Sequence, residues 1–159
     1  MLADVAMRDE HYIIDLCDEL LGMKAERQRR FDFLRGDGNP GRRLPVDAFY
    51  PTLELVIEYQ EKQHGEPVEF WDRRPTVSGI PRGLQRAKYD SRRRRVLPRH
   101  GITLVELSNV DFKHGARKRL CRRPKQDKKV LCKKLSKWVT MRKRCSNRHA
   151  TVGRRSGPG

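Results

Sequence analysis

The chain has 159 residues, 36% of them charged, and a net charge of +17. A length of this order suggests one compact domain with some excess. The sequence holds no apolar run long enough to span a bilayer, and the start Met1-Leu2-Ala3-Asp4 has neither the basic region nor the apolar run of a signal peptide. The expected location is therefore cytoplasmic, with nucleoid association as the alternative. Without a secretion signal, Cys17, Cys121, Cys132 and Cys145 are expected to be reduced thiols.

The charge is unevenly placed. Of the 37 lysines and arginines, 18 follow Phe112, where Asp127 is the single acid. Residues 1–112 are neutral overall, and the segment 113–159 carries the whole excess. Such a concentration needs a polyanionic partner, nucleic acid or an acidic surface.

In chain order, residues 5–21 predict an amphipathic helix. Ile13, Leu16, Cys17, Leu20 and Leu21 recur at three- and four-residue spacing, with Asp4 as N-cap and Gly22 as C-cap. A second helix is expected over 24–34, placing Ala25, Phe31 and Leu34 near one face. Gly36 to Gly41 is loop chemistry. Leu44–Tyr50 and Leu53–Tyr59 read as two strands, joined at Pro51-Thr52 into an antiparallel hairpin. Residues 65–81 are punctuated by Gly and Pro and read as a loop. A helix is expected over 82–98, ended by Gly101, and a third strand over 102–107. After residue 113 only Leu131, Leu135, Trp138, Val139 and Met141 hint at a short helix, with Trp138 packing on Leu135 and Val139. The rest of this segment is expected to be disordered alone.

Candidate chemistry lies in the hairpin. Asp47 is followed eleven residues later by Glu58 and then by Gln60. Side chains alternate along a strand, so Glu58, Gln60, Lys62 and His64 share a face if the strand runs on. Two carboxylates on adjacent strands can hold Mg²⁺, or Mn²⁺, through oxygen. The metal can then polarise a phosphodiester and activate water, with Lys or Gln orienting that water.

Pro45-Val46-Asp47 with Glu58-Tyr59-Gln60 resembles the PD-(D/E)XK motif in its rarer E-x-Q form. The string from Val56 to His64 is similar to the E-x-D-G-x-Q-H block of the very-short-patch-repair-like endonucleases. Tyr89-Asp90, Arg93, Leu97, Gly101-Ile102 and Leu107–Asp111 extend the likeness over about 44–112. Gln60 stands where those relatives carry Asp, and Glu61 where they carry Gly. The resemblance implies a restriction-endonuclease-like α/β core: N-terminal helices over 5–34, a small mixed sheet with a hairpin, a crossover helix, then a basic, largely disordered tail over 113–159. It also implies a Mg²⁺-dependent nuclease with Asp47 and Glu58 as metal ligands, Gln60 ligating or placing water, and Lys62 and His64 assisting. An N-terminal helical Glu often completes such sites, and Glu26 is the candidate by position.

Nucleic-acid contacts are expected from Arg92, Arg93, Arg94 and Arg95 on the third helix, and from Lys118, Arg119, Arg122 and Arg123 in the tail. DNA is the favoured partner. The main alternative is an inactive nuclease fold that binds nucleic acid through its tail. A ribosome- or RNA-associated basic protein would explain the tail but not the hairpin. Cys121, Cys132, Cys145 and His149 lack the paired knuckles of a zinc site; only Cys145 and His149 are spaced like ligands.

Overall fold

A computed structural model describes residues 8–60, 76, 78–116 and 119–142. Its elements are α1 (Asp9–Leu21), β1 (Glu26–Arg35), β2 (Arg43–Tyr50), β3 (Leu55–Gln60), α2 (Arg82–Arg99), β4 (Thr103–Ser108) and α3 (Pro124–Lys134). A further helical segment, 136–142, follows α3. The four strands form one mixed sheet in the order β1-β2-β3-β4. Both β1–β2 and β2–β3 are antiparallel, while β3–β4 is parallel and connected through α2. A parallel pair needs such a crossover, because a tight turn can only reverse the chain.

The helix expected at 5–21 forms as α1. It begins at Asp9, later than expected, with Arg8 in extended backbone as its N-cap; Asp4 lies outside the described residues, and Gly22 closes the helix at φ 67°. The position takes only glycine comfortably: a Cβ there would enter the left-handed region and meet the Arg142 guanidinium at 2.3 Å. Arg142 donates to the carbonyls of Glu19 and Leu20, both at 3.0 Å. Since α1 has no basic residue in its last turn, a distant side chain supplies the cation its C-terminus favours. The hairpin, the helix at 82–98 and the third strand also form close to where they are expected.

The helix expected over 24–34 does not form; the segment is β1. Phe31 and Leu34 are both buried, and their three-residue spacing mimics a helical face. The β1–β2 register shifts between Arg30 and Arg35, and this irregularity lets both side chains turn inward from a strand. Arg and Gln at 27–30 favour helix intrinsically, but pairing with the outer edge of β2 overrides a preference of a few tenths of a kcal/mol per residue, roughly. The exposed charges on this edge strand also discourage pairing with another chain.

Two apolar clusters flank the sheet. On one side α2, through Leu97, packs on Phe31, Leu34, Leu44, Val46, Val56 and Ile102. On the other, α1 and α3 pack on Ala48, Tyr50, Leu55, Ile57, Tyr59 and Leu107. Asp18 is buried on α1 and fully partnered: Tyr50 Oη donates at 2.8 Å, Arg27 at 2.8 Å and the Ala25 N–H at 3.0 Å. Burial pushes the neighbouring Cys17 thiol up to about 12, and the Asp18 charge adds to the shift. Cys17, Cys121 and Cys132 are free thiols, as expected.

The expectation of a largely disordered tail is overturned for residues 124–142. Leu131 and Leu135 are fully buried and Trp138 nearly so, in one cluster with Ile13, Ile14 and Cys17 of α1. The apolar residues are few but sit at helical spacing, and α1 provides the surface they need. Charge also fits. Arg122 pairs with Asp9 at 3.2 Å, Lys134 with Asp111 at 2.7 Å, and Lys128 with Glu19. Asp127, the single acid of the segment, is buried and accepts from Tyr12 Oη at 2.7 Å and from the Arg123 N–H at 2.8 Å. Part of the excess charge is thus compensated within the fold.

A chain ending at Phe112 is therefore expected to lose its cooperative unfolding transition, and Leu131→Ala to cost about 2–5 kcal/mol in denaturant melts. Unchanged melts would show that the segment adds nothing to the core.

Candidate active site

The β2–β3 ladder pairs Tyr50 with Leu55, Phe49 with Val56 and Ala48 with Ile57. One more step would place Asp47 opposite Glu58. There the pattern changes. The Asp47 N–H donates to Glu58 Oε1 at 3.1 Å, and the Tyr59 N–H donates to Asp47 Oδ2 at 2.8 Å. Each carboxylate satisfies a backbone donor of the other strand, so two acids are fixed side by side where the ladder gives way. Each commits one oxygen to this exchange and has a second oxygen besides.

The opposite side of Asp47 is irregular as well. The β1–β2 register pairs Arg27 with Ala48 and Arg29 with Val46, which brings Gln28 level with Asp47. Gln28 has φ 53°, a left-handed conformation that side-chain-bearing residues adopt at a cost of order 1–3 kcal/mol. Its side chain bonds to Asp47, and its amide also reaches Glu10 Oε1 on α1 at 3.4 Å.

Beneath the pair lies α2. Arg93 is mostly buried, with 14% of its side chain exposed. It donates to the Pro45 carbonyl at 2.8 Å and to Asp90 at 3.0 Å, and its Nε stands 3.6 Å from Glu58. One guanidinium therefore faces three acids: Asp47, Glu58 and Asp90. Compensation is incomplete. Burial first, then the charge of Asp47, pushes the Glu58 carboxyl up to about 8, against an opposing pull from Arg93. Asp47 is raised as well, chiefly by burial.

Gln60 does not turn toward the pair. Its amide donates to Glu106 Oε1 on β4 at 2.9 Å, and Glu106 is held by Arg94 through two bonds of 2.8 Å. Lys62 and His64 lie outside the described residues. Glu26 stands on β1 opposite Phe49 and pairs with Arg29 at 3.2 Å, so it does not join the carboxylates. The acid of the N-terminal helix linked to Asp47 is Glu10, by way of Gln28.

The arginine run is mostly committed inside the fold. Arg92 pairs with Asp37 at 2.8 Å and donates to the Arg35 carbonyl, while Arg93 and Arg94 hold the acids just described. Arg95 is exposed. In the tail, Arg119 and Arg123 are exposed, Arg122 pairs with Asp9, and Lys118 is outside the described residues.

Sequence reasoning paired Asp47 with Glu58 but missed Gln28, Asp90 and Glu106, and read Arg93 as a phosphate contact. Asp90 and Arg93 are three residues apart on a helix, a spacing that places them on one face. Nothing in the sequence marks Gln28.

Among the described residues no group of three or more His, Cys, Asp or Glu side chains is arranged to hold a metal. The Asp47–Glu58 pair still suits one kind of ion. Mg²⁺ retains much of its water and is commonly held by one or two carboxylates with substrate phosphate completing its shell. A buried acid pair with Glu58 raised is one that a dication would relieve. Cys145 and His149 lie outside the described residues. No family model, curated protein or solved structure matches this chain.

The raised carboxyl has a thermodynamic sign. Unfolded, Glu58 ionises near its ordinary 4.5; folded, it resists until about 8. Its contribution to stability is thus fully present below about 4.5, declines as pH rises, and is lost above about 8. Glu58→Gln is expected to remove that decline and to exceed wild type at pH 9 by a few kcal/mol at most, on the order set by the shift. Parallel stability curves for the two proteins from pH 4 to 9 would contradict the assignment.

Proposed function

We propose that this chain is a metal-dependent endonuclease acting on DNA, with the Asp47–Glu58 pair as its centre. The observation that carries the reading is the reciprocal locking of two mostly buried acids at the break in the β2–β3 ladder. Such a pair raises the energy of the fold, and a surface that only gripped phosphate would gain nothing from it. The fold order supports the reading at a coarser level. The small mixed sheet, its β2–β3 hairpin and the crossover helix to a parallel strand match the core expected from the motif resemblance, while β1 stands where a second N-terminal helix was expected.

In this reading Asp47 and Glu58 each give an oxygen to Mg²⁺ or Mn²⁺. The bound ion would supply Lewis acidity and a more acidic water. Arg93 anchors the pair through Pro45 and limits its repulsion. Gln60, held by Glu106, borders the pair on the same face of β3. Arg95, with Arg119 and Arg123 of the tail, contacts phosphate and holds the substrate by charge.

A second reading has its own support. Gln60 points to Glu106, no third acid joins the pair among the described residues, and Arg93 already stands beside Glu58. These features suit a nuclease fold that binds nucleic acid without cutting it.

Nicking of supercoiled plasmid with Mg²⁺ or Mn²⁺ separates the two. The endonuclease reading expects metal-dependent nicking that Asp47→Asn lowers by at least ~100-fold. It also expects metal affinity to rise with pH, with proton release on binding, because Glu58 must ionise to ligate. No nicking with either metal, together with metal affinity indifferent to Asp47→Asn, would leave the binding reading in its place.

A further inference from the structure

The two faces of α3 differ in their electrostatics. The inner face buries Asp127 and Leu131, and its flanks are neutralised by the Lys128–Glu19 and Lys134–Asp111 pairs. The outer face carries Lys125, Lys129 and Lys133, all exposed. At about 100° per residue these three centre about 180° from the midpoint of Asp127 and Leu131. They form one ridge along the helix.

A solvated helix face ordinarily interleaves charges of both signs. This ridge has one sign. Like charges four residues apart weaken a helix, and Lys125 stands in the first turn, where the helix dipole disfavours a cation. The segment can make neutralising pairs, since it does so on its flanks. Among the described residues, its outer face makes none that would offset the repulsion along the ridge.

The position of the ridge is equally informative. α3 packs with α1 on the sheet side that holds Ala48, Ile57 and Tyr59. Asp47 and Glu58 alternate with those residues and meet Arg93 of α2 on the other side. A strand seated at the carboxylates does not lie along α3.

We infer that Lys125, Lys129 and Lys133 form a second nucleic-acid surface, which binds backbone phosphate on the side of the sheet opposite the carboxylates. This rests on the nucleic-acid partner proposed above and not on cleavage. Phosphate is the fitting ligand because a row of lysines offers point charges without base-reading geometry.

The test is binding of the full chain to a short DNA duplex by fluorescence anisotropy across a salt series. The triple variant Lys125→Gln, Lys129→Gln, Lys133→Gln is compared with wild type, each alone and combined with Asp47→Asn. Each phosphate contact contributes about 0.9 to the slope of log K against log salt. The triple variant is expected to lower that slope by about 2–3 and the affinity by at least ~10-fold at low salt, equally in both backgrounds. Its melting temperature should be equal to or above wild type, because repulsion along the ridge is removed. An unchanged slope, or no duplex binding by wild type, overturns the inference. So does a loss seen only on anionic phospholipid vesicles, which would name a membrane surface instead. Failure of nicking alone, with the slope change present, removes the endonuclease reading and leaves the ridge standing.

Discussion

The molecule depends on what happens one step beyond the Ala48–Ile57 pair. Up to that point β2 and β3 are bound by their backbones, and the side chains are free to serve the two cores. At Asp47 and Glu58 the carboxylates take over the donors that a regular ladder would have used. Backbone donors cannot be left unpartnered without a cost comparable to a lost hydrogen bond, so the acids are held in place by the strands' own requirement. The arrangement concentrates negative charge where burial makes it expensive, and the Glu58 carboxyl is pushed well above the usual carboxylate range as a result. Arg93 limits the expense because it is anchored to the Pro45 carbonyl and to Asp90 as well as standing by Glu58.

The second constraint is electrostatic and joins distant parts of the chain. α1 is acidic and α3 is basic, and the two meet over a small apolar seam. Opposite charges on exposed or half-exposed side chains contribute about 0–1 kcal/mol each, so these pairs do not hold α3 down. Burial of Leu131, Leu135 and Trp138 does that. That apolar face decides which side of α3 turns inward, and the ion pairs flank it. Arg142 adds a directional contact by completing the C-terminus of α1, where Gly22 leaves room for it.

β2 was legible because burial alternates along it, and β3 and β4 because each is a short run rich in apolar and β-branched residues. α1 was legible because its buried residues recur at helical spacing, whereas α2 buries Leu97 alone and was read from the residues along it and the Gly101 stop. β1 was not. Phe31 and Leu34 mimic a helix because a register shift, invisible in sequence, turns both inward. The fold of residues 124–142 was hidden by counting charge over the segment alone. Its acidic partners, Asp9, Glu19 and Asp111, lie before residue 113, in a part of the chain that is neutral when summed as a whole.

The site divides along the same line. Asp47 and Glu58 could be paired because both belong to one hairpin, where separation in sequence fixes position across the strands. Gln60 was placed on the correct face, but its bond to Glu106 depends on the parallel register of β3 and β4, which no local pattern encodes. Arg93 carries the clearest lesson about reading charge. In the run from Arg92 to Arg95 each guanidinium looks alike, yet helical geometry sends three of them to different acids and leaves Arg95 outermost. A run of basic residues on a helix that packs against a sheet is therefore a mixture: the residues turned to the sheet answer buried acids, and those turned away are the ones on offer to a polyanion.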